Sequence, residues 1–401
     1  MSEPGWSQAV RQLIEDVHHA RPDDLPGIAN RLAADLGALE IMMYLVDYGQ
    51  TTLGPYGGPG APTRAHQPID GTLAGRVYTT GQTLESCVDG VCRLWVPMVD
   101  GTERLGVLEV LTASETHPDE WSDYQSFASV LAQTLVSRRQ YGDAVECARR
   151  AYPMQLAAEI IWNQLPPLTF ATDDVAVSAI LEPCYDVGGD AFDYAINGQT
   201  LHIAMFDAVG HGISASALTG LVISAYRNAR RCGLDLSDTY RSVDKWVHAE
   251  HPDSFVTAVL GELHTDTGEY RRISAGHPGE LLLRDGKLVR QLEAPTAMPL
   301  GWGHLDNPIP VVTDESLQPG DKLLLFTDGV VEARTEAGDF FGTDRLSDFL
   351  TRALADRLPG PETMRRLVHA ILTHQHEKLQ DDATAALLEW RPEFTYGHLP
   401  L

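Results

Sequence analysis

The 401-residue chain carries 30 lysines and arginines against 56 aspartates and glutamates, a formal net charge of −26. That balance argues against a general nucleic-acid or anionic-membrane partner, since both surfaces repel an acidic protein. A composition of 43% hydrophobic and 21% charged residues is that of a globular rather than a disordered chain, and the length suggests two or three domains.

The opening residues, Met1-Ser2-Glu3-Pro4, lack a basic region followed by an apolar core. No apolar run approaches the ~20 residues a membrane span needs, so a cytoplasmic location is expected. Five cysteines, Cys87, Cys92, Cys147, Cys184 and Cys232, are scattered, odd in number and without zinc-ligand spacing. All five are expected to be reduced, non-ligand thiols.

Residues 10–140 read as one α+β unit. Leu25, Ile28, Leu32 and Leu36 recur at helical spacing, and an apolar strand follows at 41–46. Residues 49–70, with Gly57-Gly58-Pro59-Gly60, read as a long loop. Strands at 94–99 and 105–111 flank the turn Asp100-Gly101-Thr102-Glu103, and 121–135 reads as an amphipathic helix begun by Pro118 and Asp119.

Residues 141–167 read as a helical linker. Tyr141, Ala144, Val145, Ala148, Tyr152, Leu156 and Ile160 follow a 3-4 spacing that could form a paired seam and a homodimer, or simply pack on one domain. Pro153 is expected to start a second helix and Pro166-Pro167 to end it.

From 168 to 391, strands are expected at 175–182, 200–206, 255–263, 269–275, 279–284, 322–327 and 384–389. Helices are expected at 213–231, 236–250, 344–356 and 361–377. Turns such as Asp285-Gly286 imply hairpins and therefore antiparallel sheets, an α+β rather than a doubly wound class. Residues 392–401 read as a loose tail.

Four acidic clusters lie in order along this second half. They are Gly188-Gly189-Asp190, Asp207-Ala208-Val209-Gly210-His211-Gly212, Thr327-Asp328-Gly329 and Asp381-Asp382-Ala383-Thr384. Singly, each has a bland explanation as a turn or a solvated loop. Together they are harder to dismiss, because Asp207 and Asp328 each follow an apolar strand, a rigid way to deliver a carboxylate. Oxygen ligands of this kind suit Mg²⁺ or Mn²⁺, and two such ions would activate water for attack on a phosphoryl group without a protein nucleophile. His211 and His277 read as structural first, with His277 structural or substrate-facing.

In order and spacing these stretches, with Ser274-Ala275-Gly276-His277-Pro278 and Thr327-Asp328-Gly329-Val330-Val331-Glu332-Ala333, resemble the metal-dependent PPM (type 2C-like) serine/threonine phosphatases of the bacterial SpoIIE branch. The resemblance implies a PPM-type α-β-β-α sandwich of two antiparallel sheets over 168–391 and two Mn²⁺ or Mg²⁺ ions. It implies Asp207 bridging both ions, Asp328 and Asp381 completing one shell, and the Ala208 carbonyl and Asp190, through water, serving the other. Asp382 is a weaker candidate ligand. The implied substrate is a phosphorylated regulatory protein of the anti-sigma factor antagonist kind. The phosphate-binding arginine of eukaryotic relatives has no evident match here. Residues 10–140, through Tyr44-Leu45-Val46-Asp47-Tyr48-Gly49-Gln50, resemble a GAF sensory domain, which implies a possible small-molecule ligand. The competing reading is a catalytically silent phosphatase-like module that binds a partner. Loss of the metal ligands would mark it, and every acidic position is intact.

Overall fold

The computed structural model describes residues 5–293, 295–305, 310–335, 338–376, 379 and 381–392. The chain falls into two compact units that join between Pro153 and Met154, inside the expected linker.

The first unit runs α1 (Gly5–Val17), α2 (Leu25–Arg31), β1 (Glu40–Val46), β2 (Thr52–Pro55), β3 (Gln67–Pro68), α3 (Leu73–Thr80), β4 (Leu84–Val88), β5 (Val91–Asp100), β6 (Glu103–Thr112), α4 (Pro118–Arg138) and α5 (Ala144–Arg149). Its strands form one antiparallel sheet in the order β3-β2-β1-β6-β5-β4. The unbroken apolar run of β1 has a direct cause. Ile41, Met43 and Leu45 join the core shared with α1, α2 and α4, while Met42, Tyr44 and Val46 join the core shared with α3. Successive side chains point to opposite faces, so a strand covered on both sides is apolar throughout. The expected long loop at 49–70 holds the short strands β2 and β3.

Two expectations fail in this region. Cys87 and Cys92 are joined by a disulfide, not reduced. Asp89 and Gly90, both with positive φ, make a two-residue hairpin turn between β4 and β5. That turn sets Val88 against Val91 and Cys87 against Cys92. The linker is broken near Pro153 as expected, but Pro153 does not start its second helix. Its helical spacing is interrupted at 150–155, and Pro153 lies in the gap, three residues before the next helix, α6 (Leu156–Trp162). Val145 of α5 is buried in the first unit's core. In α6 the inward residues are Ala157, Ala158 and Ile161, whereas Leu156 is 59% exposed.

The second unit continues with β7 (Thr169–Ala171), β8 (Val175–Glu182), β9 (Asp190–Asn197), β10 (Thr200–Ala208), α7 (Ile213–Arg231), α8 (Leu236–Glu250), β11 (Val256–His264), β12 (Glu269–Ala275), β13 (Leu281–Arg284), β14 (Lys287–Gln291), β15 (Thr313–Ser316), β16 (Lys322–Phe326), α9 (Asp328–Val331), α10 (Gly342–Ala355), α11 (Gly360–His374) and β17 (Ala383–Trp390). Two antiparallel sheets form, in the orders β15-β12-β11-β10-β9 and β14-β13-β16-β17-β8-β7. The layers follow from strand parity. Leu201, Ile203 and Met205 of β10 meet Leu323 and Leu325 of β16 and Ala386 and Leu388 of β17 in the core between the sheets. The alternate residues Ala204, Phe206 and Ala208 pack under α7 and α8, and Leu324 and Phe326 pack under α10 and α11. The result is a helix–sheet–sheet–helix sandwich.

The same parity places the polar residues. Asp190 and Asp207 are register partners on β9 and β10, on the inward side with Phe192, Tyr194, Ile203 and Met205. Asp193, on the outward side, is buried against α7 and accepts from Arg227 and Arg230 at 2.6–3.0 Å. One Arg227 nitrogen also donates to the Gln164 carbonyl, which ties the segment after α6 to α7. Residues 393–401, most of the expected tail, lie outside the described residues.

Candidate metal centre

Where the apolar layer between the sheets ends, five aspartates gather. Asp207 is the penultimate residue of β10, Asp328 opens α9 after β16, and Asp381 and Asp382 precede β17. Asp190 opens β9 directly across from Asp207. Asp190 and Asp207 lie on the inward face, two residues from the core contacts Phe192 and Met205, whereas Asp328, Asp381 and Asp382 stand just outside the strands, where β16 ends and β17 begins.

The charges in this cluster oppose one another. Burial pushes the Asp207 carboxyl from the usual 3.8 up to about 7, helped by Asp328, Asp381 and Asp382. Burial also holds Asp190 well above its ordinary range, with Asp207 and Asp382 adding to the effect. Asp328 is raised by burial, then by Asp381 and Glu332. None of the principal influences on these three groups is a cation. Carboxylates brought together with no counter-charge call for a bound cation or a shared proton.

Asp382 is placed differently. Its Oδ2 accepts from the backbone N–H groups of Gly188, Gly189 and Asp190 at 2.9, 2.7 and 3.2 Å. Burial still raises it overall, against the pull of those three donors. The aspartate therefore clasps the loop that leads into β9. The two glycines are there for space: a Cβ on Gly189 would lie 2.7 Å from the Ala208 carbonyl oxygen, and one on Gly188 would lie 2.5 Å from the Gly212 nitrogen. Gly329 faces the segment that carries the aspartate itself, where a Cβ would lie 1.9 Å from the Asp382 carbonyl oxygen. Asp382→Ala should destabilise the metal-free protein by about 2–3 kcal/mol, because three donors of buried residues lose a charged acceptor. Asp382→Asn, which keeps one acceptor oxygen, should cost less than half of that. Urea denaturation of the two variants measures the difference.

Hydroxyl groups, absent from the sequence reading, complete the site. Thr327 Oγ1 donates to Asp190 Oδ2 at 2.6 Å and accepts from the Thr384 amide at 3.0 Å. The Thr384 hydroxyl also holds Asp190 down, though it is buried without a fully formed hydrogen bond. Thr257 Oγ1 lies 2.8 Å from His277 Nδ1 and 3.5 Å from Asp207 Oδ2. His277 is buried, its Nε2 is 3.1 Å from the Phe326 carbonyl oxygen, and burial lowers its pKa to about 4. A neutral ring of this kind, hydrogen-bonded at both nitrogens, takes up no second proton at neutral pH. His211 is exposed on the loop between β10 and α7.

The donor set fits hard divalent cations. Carboxylate, carbonyl and hydroxyl oxygens supply it, and no cysteine enters it. Among the described residues, three potential ligand atoms come within 4.8 Å of one another at Glu85, Cys87 and Cys92, in the first unit, where the sulfurs are already bonded to each other.

The helix–sheet–sheet–helix sandwich of antiparallel sheets matches the fold of PPM, or type 2C, phosphatase domains. Residues 197–391 match the family model described as Stage II sporulation protein E (SpoIIE). The matched stretch begins within β9, so Asp190 and its glycine loop lie just outside it. The chain is 24% identical over 237 residues to the phosphoserine phosphatase RsbU of Bacillus subtilis, covering 59% of this chain and 69% of that protein. It is 24% identical over 238 residues to the phosphoserine phosphatase RsbP of the same organism, covering 57% of this chain and 56% of RsbP. A solved structure of the RsbU and RsbW domains of Rv1364c from Mycobacterium tuberculosis is 25% identical with a TM-score of 0.48, covering 56% of this chain and 62% of that one. No helix among the described residues is long and apolar enough to cross a membrane.

Proposed function

We propose that the second unit is a Mn²⁺- or Mg²⁺-dependent protein phosphatase acting on phosphoserine or phosphothreonine. The observation that carries this reading is the convergence of Asp190, Asp207, Asp328 and Asp381 from both sheets, with no cation among the principal influences on the first three. In this reading Asp207 is shared by two ions, Asp328 and Asp381 serve one, and the Ala208 carbonyl and Asp190, through water, serve the other. Asp382 keeps the role its three hydrogen bonds support, holding the Gly188–Asp190 loop in place. Bound ions supply acidified water and a polarised phosphoryl oxygen. The chain's own residues fix where attack occurs: β10 and β16 hold Asp207 and Asp328 on opposite sheets, and the apolar layer beneath excludes solvent from the far side.

The first unit, in the same reading, is a GAF-like sensor whose ligand sets phosphatase output, and the substrate is a phosphorylated regulatory protein of the anti-sigma factor antagonist kind. A net charge of −26 repels phosphate, so docking must supply the affinity. A folded cognate phosphoprotein should be turned over at least about tenfold more efficiently than its excised phosphopeptide, the effect of about 1.4 kcal/mol of docking. The test is phosphate release from both substrates with Mn²⁺, Mg²⁺ or chelator. Release that is equal with metal and with chelator overturns the enzymatic reading and leaves the silent binding module.

A further inference from the structure

We propose that His277 is a positioning residue that holds the Thr257 hydroxyl proton away from Asp207, leaving the Asp207 carboxylate free to take a divalent cation. This inference rests on the reading of the aspartate cluster as a metal site.

The direction of the hydrogen bonds follows from the atoms. A carbonyl oxygen can only accept, so the 3.1 Å contact between His277 Nε2 and the Phe326 oxygen requires the proton on Nε2. Nδ1 of the same neutral ring is then bare and must accept. Its neighbour at 2.8 Å is Thr257 Oγ1, which has one proton to give. The alternative acceptor, Asp207 Oδ2, stands at 3.5 Å from the same oxygen, a contact at the outer limit of a hydrogen bond and much longer than the one to the ring. One proton cannot serve both, and the shorter contact takes it. Thr257 and Asp207 are nonetheless direct register partners on β11 and β10, both on the inward side. A small rotation of the threonine hydroxyl would give Asp207 a donor.

The location of the ring gives this arrangement its purpose. Gly276, at φ +70°, turns the chain out of β12 and sends His277 under the site. The ring thus connects β11 of one sheet to the end of β16 in the other, two residues before Asp328. It joins the two strand ends that carry Asp207 and Asp328 while occupying the proton that Thr257 could otherwise give to Asp207. A buried histidine that merely satisfies its own nitrogens could do so with any carbonyl and any hydroxyl. This one uses the hydroxyl facing the carboxylate that both ions share in the proposed site.

The test is Mn²⁺ binding by calorimetry on the full chain, with circular dichroism as the check on fold. His277→Phe removes the acceptor and frees the Thr257 proton for Asp207. Mn²⁺ affinity should fall by roughly tenfold to a hundredfold, the effect of a hydrogen bond to a charged group. Adding Thr257→Val removes that proton, so the double variant should bind at least about tenfold tighter than His277→Phe alone. Losses that add instead of cancelling are the signature of a purely structural ring and overturn the proposal, as does wild-type affinity in His277→Phe. Should His277→Phe fail to fold, ¹⁵N shifts of the wild-type metal-free protein decide: a proton on Nε2 with Nδ1 bare is expected, and a proton on Nδ1 overturns the inference. Asp207→Asn serves as the control. Saturable binding that is lost in Asp207→Asn but unchanged in His277→Phe sinks this inference alone, whereas no saturable binding by the wild type sinks the metal-site reading beneath it.

Discussion

Asp207→Asn and Asp328→Asn should each lower Mn²⁺-dependent phosphate release by roughly a thousandfold, the counterpart of the several kcal/mol of charge stabilisation that bound metal supplies. Asparagine keeps the shape and one oxygen of aspartate but not its charge. The two positions lie at the ends of strands in different sheets, β10 and β16, so either change leaves the other sheet's contribution in place. Asp382→Asn should be far milder for turnover at saturating metal, because its Oδ2 is committed to three backbone amides. Steady-state rates of the three variants across a Mn²⁺ titration separate the roles. If Asp207→Asn or Asp328→Asn keeps near wild-type turnover, the two-ion assignment is wrong. If Asp382→Asn loses as much as Asp207→Asn, Asp382 is a ligand rather than a clasp.

The parts of this site legible in the sequence are those whose cause is local. Leu201, Ile203, Met205 and Asp207 share a parity, so a strand with an inward carboxylate at its end can be read directly from alternation. Strand β16 is different: Asp328 shares the parity of Leu324 and Phe326, which face the helices, and it lies beyond the strand at the start of α9. Strand β9 escapes that reading because Asp190 and Asp193 interrupt its apolar residues. The reason lies elsewhere in the chain: Asp193 is matched by Arg227 and Arg230 on α7, and Asp190 by the Thr327 hydroxyl. Thr257, Thr327 and Thr384 carry no signal either, since threonine in a strand is ordinary, and only cross-strand register reveals what each faces. The linker shows the opposite failure. Its 3-4 spacing continues across Pro153 although the helix does not, because residues on either side are buried in different cores. The Cys87–Cys92 bridge was within reach of the sequence. Asp89-Gly90 is a strong hairpin turn, and a two-residue turn sets the flanking cysteines opposite each other.

Without metal, Asp207→Asn should make the protein more stable at pH 8 than the wild type. The sign follows from the carboxyl's displacement. Asp207 is raised from 3.8 in an ordinary setting to about 7 in the fold, chiefly by burial and then by Asp328, Asp381 and Asp382. A group whose folded value lies above its unfolded value favours the fold in its protonated form. Its stabilisation is fully present below pH 3.8, fades as pH rises, and is lost once pH passes about 7. Above that point the ionised group leaves the metal-free fold at a disadvantage of roughly 4 kcal/mol. The asparagine side chain of the variant carries no charge at any pH, and losing the Asp207 charge also relieves Asp190, which Asp207 raises further. Urea denaturation in chelator at pH 5.5 and pH 8 should therefore show the wild type losing stability relative to Asp207→Asn as pH rises. Added Mn²⁺ should reverse the order at pH 8, because a ligand that binds only the folded state stabilises it and the variant has lost that ligand's anchor. A wild type that is as stable as the variant at pH 8 in chelator means the carboxylates are not in conflict, and the electrostatic case for a cation there fails. The order expected here is that of a site whose stability is given up for function: a residue that disfavours the empty fold is the one that, in the proposed reading, both ions would share.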